Sequence, residues 1–79
     1  MPTLHREAGL RYFFRSSDRP EPPHVHVVGG GGKAKVWLMP VRLENARGYS
    51  RRRVDRIVEV TEAHLEEWFA IWRGFFREA

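Results

Sequence analysis

Two histidines, His24 and His26, are the residues whose type and spacing most directly allow chemistry in this chain. Pro22 and Pro23 precede them, and valines follow each of them at positions 25 and 27. Side chains alternate between the two faces of a strand, so both imidazoles are expected on one face and the valines on the other. If the valines face the core, the histidines face a ligand, a partner or a metal.

Catalysis is the first of three interpretations of this pair. An imidazole titrates near ~6.5, so His24 and His26 could serve as proton-transfer groups in metal-independent cleavage of an RNA phosphodiester. The phosphate would then be bound by Arg11, Arg15 or Lys35. Whether the chain is an enzyme stays open at this point.

Metal binding and a structural role are the other two interpretations. Two histidines two apart on a strand can share an ion, but zinc sites usually need at least three protein ligands. A third ligand would have to be Glu21, His5 or His64, and no recognisable spacing completes the set, so the sequence predicts no metal site and no cofactor. As structural groups, the imidazoles would donate to backbone carbonyls around the proline turn or to carboxylates of a partner.

Basic and aromatic residues share the predicted histidine face. Alternation along three strands places six further side chains there: Arg11, Phe13, Arg15, Lys33, Lys35 and Trp37. Cations that meet phosphates and rings that stack on bases are typical of single-stranded nucleic-acid binding. The alternative is that a dimer partner or the far half of the helix covers Phe13 and Trp37, with arginine and lysine stems extended around them.

Charge is segregated along the chain. The net charge is +4, from 14 basic and 10 acidic residues, and arginines cluster between positions 42 and 56. Within that cluster Arg51, Arg52 and Arg53 open the predicted helix, where cations oppose the helix dipole. They are further candidates for binding an acidic partner or nucleic acid, and a solvated helix face is the alternative.

The elements that must position these residues are strands in the first two thirds of the chain and helix in the last third. Strands are predicted at 10–15, 24–28 and 33–38 as an antiparallel meander, with an edge strand at 3–5 and an extension at 41–43. The face opposite the histidines is predicted to be buried and comprises Leu10, Tyr12, Phe14, Val25, Val27, Ala34, Val36 and Leu38.

One long C-terminal helix is the simplest interpretation of the apolar stripe after Ser50, a good N-cap residue. A break near Thr61, which could cap a second helix, is the alternative. The predicted fold is therefore α+β: an antiparallel sheet of three to five strands with the helix on one face. It forms a single domain over residues 1–79, with a sheet portion at 1–43 and a helical portion at 50–77. Because the aromatic stripe exceeds what a small sheet can cover, a homodimer through the helix is predicted.

Composition restricts the remaining possibilities. A chain of 79 residues supports one small domain. It has no cysteine, which excludes disulfides and thiolate metal sites. There is no apolar secretory start and no stretch long enough to span a bilayer, so a soluble, cytoplasmic protein is expected.

The chain resembles the bacterial family known as domain of unknown function 4160. The resemblance covers nearly all of the chain and is carried by Phe13-Phe14, Ser16, the segment 21–27, Ala34-Lys35-Val36-Trp37-Leu38, Pro40-Val41, Gly48-Tyr49-Ser50 and the aromatic-rich helix. It implies a small protein often encoded beside a companion, an arrangement proposed to be a toxin–antitoxin pair.

The expected function is therefore that of one member of a two-gene toxin–antitoxin-like system. Such a module would act through a companion protein, and through RNA if the basic face binds it. The alternative is a non-catalytic module that docks a protein or nucleic acid on the same face. The sequence does not identify the substrate, the partner or the oligomeric state, nor which half of the pair the chain is.

Overall fold

A five-stranded antiparallel sheet with two helices on one face is the architecture of the computed structural model, which describes residues 3–77. Each strand pairs with its neighbours in the sequence, so the sheet order is β1-β2-β3-β4-β5. The elements are β1 Thr3–Glu7, β2 Leu10–Phe13, β3 His24–Gly29, β4 Gly32–Leu38, β5 Val41–Arg47, α1 Arg51–Ala63 and α2 Leu65–Phe76. The predicted α+β class is confirmed.

Strand phase follows the predicted alternation. All eight side chains assigned to the core face are buried: Leu10, Tyr12, Phe14, Val25, Val27, Ala34, Val36 and Leu38. The helices cover them with Ile57 and Val60 of α1 and with Trp68 and Trp72 of α2. Burial of a large apolar side chain stabilises a fold by ~2 kcal/mol, so this layer fixes which strand faces turn outward.

The predicted edge strand and the predicted extension are both present, and both are longer than expected. The edge strand predicted at 3–5 is β1, Thr3–Glu7, and the extension predicted at 41–43 is β5, Val41–Arg47. A register shift between Lys35 and Val36 interrupts the pairing of β4 with β5. An extra residue in one strand breaks strict alternation, which is why β5 lacks the pattern that marks the other strands.

The helical region is broken near Thr61, as the alternative prediction had it, so the chain does not form one long helix. Ser50 caps α1 as predicted, accepting the backbone N–H of Arg53 at 3.1 Å. The break falls at His64 rather than at Thr61. Thr61 lies inside α1, buried, and its hydroxyl donates to the carbonyl of Ile57 at 2.9 Å.

The break redirects the apolar stripe across the sheet. Helix α1 packs on β4 and β5, whereas Trp68 and Trp72 of α2 contact Tyr12 and Phe14 of the β2 region, with ring centroids 5.4 and 4.9 Å apart. The two tryptophans are only 0% and 7% exposed, so one sheet does cover them. The two tryptophans therefore give no reason for a dimer, whereas Phe75 of the same stripe is 40% exposed, and the homodimer stays a prediction. None of the helices in residues 3–77 has the length and apolar character needed to cross a bilayer.

Candidate histidine–aspartate site and basic sheet face

Asp18 stands at the centre of the candidate site, although no sequence signal singled it out. It ends a short 3₁₀ turn, Ser16–Asp18, between β2 and β3. One of its carboxylate oxygens, Oδ2, accepts the backbone N–H of Arg15 at 2.8 Å, which holds the turn closed. The side chain is buried and faces the start of β3.

Both histidines of β3 direct their Nε2 atoms toward this carboxylate. Nε2 of His26 lies 2.9 Å from Oδ1 and 3.0 Å from Oδ2 of Asp18. Nε2 of His24 lies 3.2 Å from Oδ1. One nitrogen from each histidine and one carboxylate oxygen, the atoms that could bind a metal ion, all lie within 4.8 Å of one another. The chain therefore gathers two imidazoles and a carboxylate around one point.

His24 is walled in. Its residue exposure is 0%, and its ring lies 5.4 Å from the ring of Trp37 on β4 and 5.4 Å from that of Trp72 on α2. Nδ1 of His24 donates to the carbonyl of Pro22 at 2.9 Å, because a carbonyl can only accept. Nε2 is buried and makes no hydrogen bond in the described part of the chain. The 3.2 Å approach to Asp18 is thus within ion-pair distance but lacks hydrogen-bond geometry.

His26 is the half of the pair that reaches solvent, with a side-chain exposure of 14%. Burial lowers the pKa of His26 below its ordinary value, although the hydrogen bond that His26 donates to Asp18 acts in the opposite direction. Burial alone would raise the pKa of Asp18, but the hydrogen bonds from His26 and from the Arg15 backbone outweigh it, so that pKa is lowered. Near neutral pH, the site therefore holds a carboxylate and a neutral His26 ring.

These positions bear on the predicted proton-transfer pair. A general acid or base must come within hydrogen-bond distance of the substrate, and a fully covered His24 does not. His26 offers only Nδ1, since Nε2 is engaged by Asp18. This geometry argues against His24 and His26 acting as two exposed catalytic groups. The interpretation of the histidines as structural groups predicted a bond to a backbone carbonyl near the prolines, and His24 makes one to Pro22.

The open sheet face carries a row of four cations, which lie on four of its five strands. Strand pairing aligns Arg6 of β1 with Arg11 of β2, then Val28 of β3, Lys33 of β4 and Arg47 of β5. Arg6 stands directly opposite Arg11, and Lys33 directly opposite Arg47. Like charges in directly opposed positions destabilise a sheet. Among residues 3–77, no ion pair links any of these four cations to an acid.

A depression of about 190 Å³ adjoins this row on the same face. Its lining includes Arg15, His26, Lys33, Lys35 and Asn45. Lys35 is partly neutralised, because its Nζ lies 2.6 Å from a carboxylate oxygen of Glu21. The depression is thus polar and mainly basic, and the partly exposed side chain of His26 lines it.

The two aromatic rings predicted for base stacking are engaged within the chain. Phe13 is only 5% exposed, and the guanidinium groups of Arg11 and Arg15 lie 4.3 and 5.7 Å from its ring centre. Trp37 is half-buried beside Lys35, at 4.8 Å, and its Nε1 donates to Glu44 at 2.7 Å. Arg11 and Arg15 therefore cover Phe13, in agreement with the alternative prediction that cationic side chains surround this ring.

Arg51, Arg52 and Arg53 do not join the open face. They begin α1, which packs on the opposite side of the sheet. Arg51 approaches Asp55 at 3.4 Å, and Arg53 donates to the carbonyl of Ala8 at 3.3 Å. Of the predicted binding residues, the structure therefore brings together those on the strands and separates those on the helix.

Fold and site together define a small α+β domain with a basic outer sheet face and a buried histidine–aspartate cluster at one end of that face. A family profile matches residues 9–73, more than half of the chain. The protein belongs to the family described as a domain of unknown function, DUF4160. Comparison with curated proteins found no significant match, and comparison with solved structures found none.

Proposed function

We propose that this protein is the RNA-binding member of a two-gene toxin–antitoxin-like system and that it holds the RNA backbone on the open sheet face. The observation that carries the proposal is the cationic row, in which Arg6 opposes Arg11 and Lys33 opposes Arg47. Each opposition costs stability in the free protein. A polyanion placed over the row removes that cost and gains counterion release.

The dimensions of the row suit a chain of phosphates. Neighbouring strands are ~4.8 Å apart, so five strands carry the cations across roughly 19 Å. Several backbone phosphates fit along that length. Val28 stands in the middle of the row and divides it into two cationic pairs. The proposed contact is therefore to backbone charge, which requires no base sequence.

The depression beside the row supports RNA over other polyanions. Asn45 lines it with an amide that both donates and accepts hydrogen bonds, and His26 lines it with Nδ1, which accepts while Nε2 donates to Asp18. A ribose 2′-hydroxyl is likewise a donor and an acceptor, and it distinguishes RNA from DNA. The proposal includes no cleavage step, because His24 is covered.

The companion protein and the cytoplasmic location enter the proposal with the family resemblance. Contact between protein partners is supported by apolar side chains left exposed, Phe75 of α2 at 40% and Leu43 of β5 at 37%. Either a companion or a second copy of the chain could cover them. These surfaces lie apart from the cationic row, so RNA and a protein partner could be held together.

Fluorescence anisotropy with a labelled single-stranded RNA of about 16 nucleotides tests RNA binding. Affinity should fall steeply with salt, by about 0.7 in the logarithmic slope for each phosphate neutralised. The double variant Lys33→Glu/Arg47→Glu should bind at least about tenfold more weakly and lose about 1 to 2 units of that slope. DNA of the same sequence should bind more weakly than RNA.

A matched control carries the same charge change on the helix layer, Arg51→Glu/Arg52→Glu. It should retain most of the affinity, because those side chains lie on the other side of the sheet. Equal losses in the two variants, or a salt-independent affinity, would contradict the assignment of RNA binding to the open face.

The proposed two-gene system is tested separately by expressing the chain alone and with its neighbouring gene product, followed by growth and pulldown measurements. No effect on growth and no capture of the neighbouring product would contradict this part of the proposal.

A further inference from the structure

We propose that Asp18, His24 and His26 form a mononuclear site for a divalent transition-metal ion, with Zn²⁺ as its representative. The donor atoms are Oδ1 of Asp18 and Nε2 of each histidine, all within 4.8 Å of one another. Two imidazoles and one carboxylate form a common ligand set for Zn²⁺ and Fe²⁺. This inference goes beyond RNA binding and rests on different residues from the cationic row.

The orientation of His24 is the strongest argument for a cation. Its Nδ1 carries the proton that is donated to the carbonyl of Pro22, so in the neutral ring Nε2 presents a lone pair. That lone pair is fully buried, has no hydrogen-bond partner in residues 3–77 and lies 3.2 Å from a carboxylate oxygen. Two acceptors facing each other in a buried site repel. A cation between them converts the repulsion into two favourable contacts. The ion also replaces the Nε2 proton that His26 donates to Asp18, and that proton moves to Nδ1 of the same ring or to solvent.

The surrounding hydrogen bonds match those of metal ligands. A metal-binding histidine usually donates its other ring nitrogen to a backbone carbonyl or carboxylate, which fixes its tautomer. His24 does so through Pro22 at 2.9 Å. Asp18 is held by the Arg15 backbone through Oδ2, which leaves Oδ1 as the oxygen that both histidines approach.

The separations from the carboxylate oxygen are close to those of a metal site. In a tetrahedral site with bonds of ~2.05 Å, ligand atoms lie ~3.4 Å apart. Oδ1 of Asp18 lies 3.2 Å from Nε2 of His24 and 2.9 Å from Nε2 of His26. The ligand atoms of all three residues lie within 4.8 Å of one another, so the two imidazoles would move together as they bind one ion. His26 lines the depression on the open face, which gives an ion a path to the site and leaves room for a solvent ligand.

The competing state is a second proton on His24, which would form an imidazolium–carboxylate pair with no metal. Titration calorimetry on the full chain, purified without a histidine tag and treated with chelator, separates the two. Zn²⁺ should bind with a stoichiometry of one per chain and raise the melting temperature by at least about 5 °C. Mg²⁺ at the same concentration should do neither, because it prefers oxygen ligands.

Variants assign the ion to its ligands. His26→Gln and Asp18→Asn should each weaken Zn²⁺ binding at least about 30-fold, in the range seen when a ligand or its support is lost. The matched control is His5→Gln/His64→Gln, which removes two histidines whose rings lie 4.7 Å apart elsewhere and should leave affinity unchanged. Circular dichroism verifies that each variant is folded. Co²⁺ gives an independent readout, since a tetrahedral site produces visible absorption that His26→Gln should abolish.

Three results would overturn the site. These are no Zn²⁺ binding by the folded wild-type chain, undiminished affinity in both folded ligand variants, and loss of affinity only in the His5→Gln/His64→Gln control. None of these outcomes depends on whether RNA binds the open face.

Discussion

The two pairs of histidines in this molecule have nearly the same ring separation but different surroundings. The rings of His24 and His26 are 4.9 Å apart, and those of His5 and His64 are 4.7 Å apart. In the first pair, both Nε2 atoms converge on one buried carboxylate. In the second, His5 approaches the carboxylate of Glu7 and the Nδ1 atom of His64 bonds the carbonyl of Val60.

The difference lies in what the backbone provides, and it shows that ring proximity alone does not make a site. The 3₁₀ turn before β3 places the carboxylate of Asp18 between two imidazoles. Glu7, by contrast, is partly exposed and is held by Arg56 at 2.7 Å. His64 stacks on Trp68 with ring centres 4.9 Å apart and ends a helix. One pair shares an acid, and the other pair serves packing and capping.

Removing one ring from each pair should give the largest contrast. His24→Ala deletes a fully buried ring and leaves the carbonyl of Pro22 without its donor, so we expect a loss of about 3 kcal/mol in unfolding free energy. His64→Ala removes a half-buried ring and should cost about 1 kcal/mol. Urea denaturation of chelator-treated protein measures both. Equal losses would show that the two pairs are energetically alike.

Removing the acid from each pair should give a smaller contrast. Asp18→Ala leaves the Arg15 N–H and the Nε2 atom of His26 without their acceptor, at a cost of about 2 kcal/mol. Glu7→Ala should cost less, because its partners reach water. The lowered pKa of Asp18 means that its contribution is present above the ordinary value of 3.8 and is lost as the pH falls, so this part of the acid loss should vanish in the variant. A greater loss for the Glu7 variant would reverse the comparison.

The smallest effect is expected beside the second pair, at Tyr12, whose ring lies 5.5 Å from that of His5. Its hydroxyl is buried and has no hydrogen-bond partner in residues 3–77, so Tyr12→Phe should leave neutral stability unchanged or raise it by up to about 1 kcal/mol. Tyr49→Phe is the matched control. Because the Tyr49 hydroxyl donates to Gly29 at 2.8 Å, that variant should lose about 1 kcal/mol.

Alkaline titration sharpens the tyrosine prediction. Burial raises the pKa of Tyr12 to about 12 from an ordinary 10.0, so the folded state keeps its proton when the unfolded state has lost it. Ionisation of this hydroxyl therefore leaves the free energy of unfolding unchanged below pH 10 and lowers it as the pH rises from 10 toward 12. Tyr12→Phe should therefore remove part of the alkaline loss seen by thermal denaturation. An unchanged alkaline profile would show that the hydroxyl does not titrate in this window.

Most of the fold could be predicted from the sequence because local patterns carry it. Alternation in β2, β3 and β4 determines the buried face, and Ser50 marks the start of α1. The break at His64 could not be found the same way, since the apolar stripe continues through it in phase and only the width of the sheet requires the change of direction. The full length of β5 could not be predicted, because the irregular pairing near Lys35 interrupts the alternation along this strand.

The candidate site was predicted only in part. Strand alternation placed His26 and the strand cations on one face, but it could not show that Trp72 covers His24, because that contact joins distant segments of the chain. Asp18 was missed because it lies in a turn, where no periodicity applies. Its distance from the histidines, six and eight residues before them, is the signal that an acid could fold back onto the strand.

The prolines and the short 3₁₀ turn confine the whole histidine–aspartate arrangement to residues 18–26. A loop of that length closes at little entropic cost, so these groups can meet without help from the helices. The ring of Trp72 that covers His24 belongs to α2, far along the chain from this segment. Docking of α2 therefore contributes to the closure of this site, which the turn alone does not achieve.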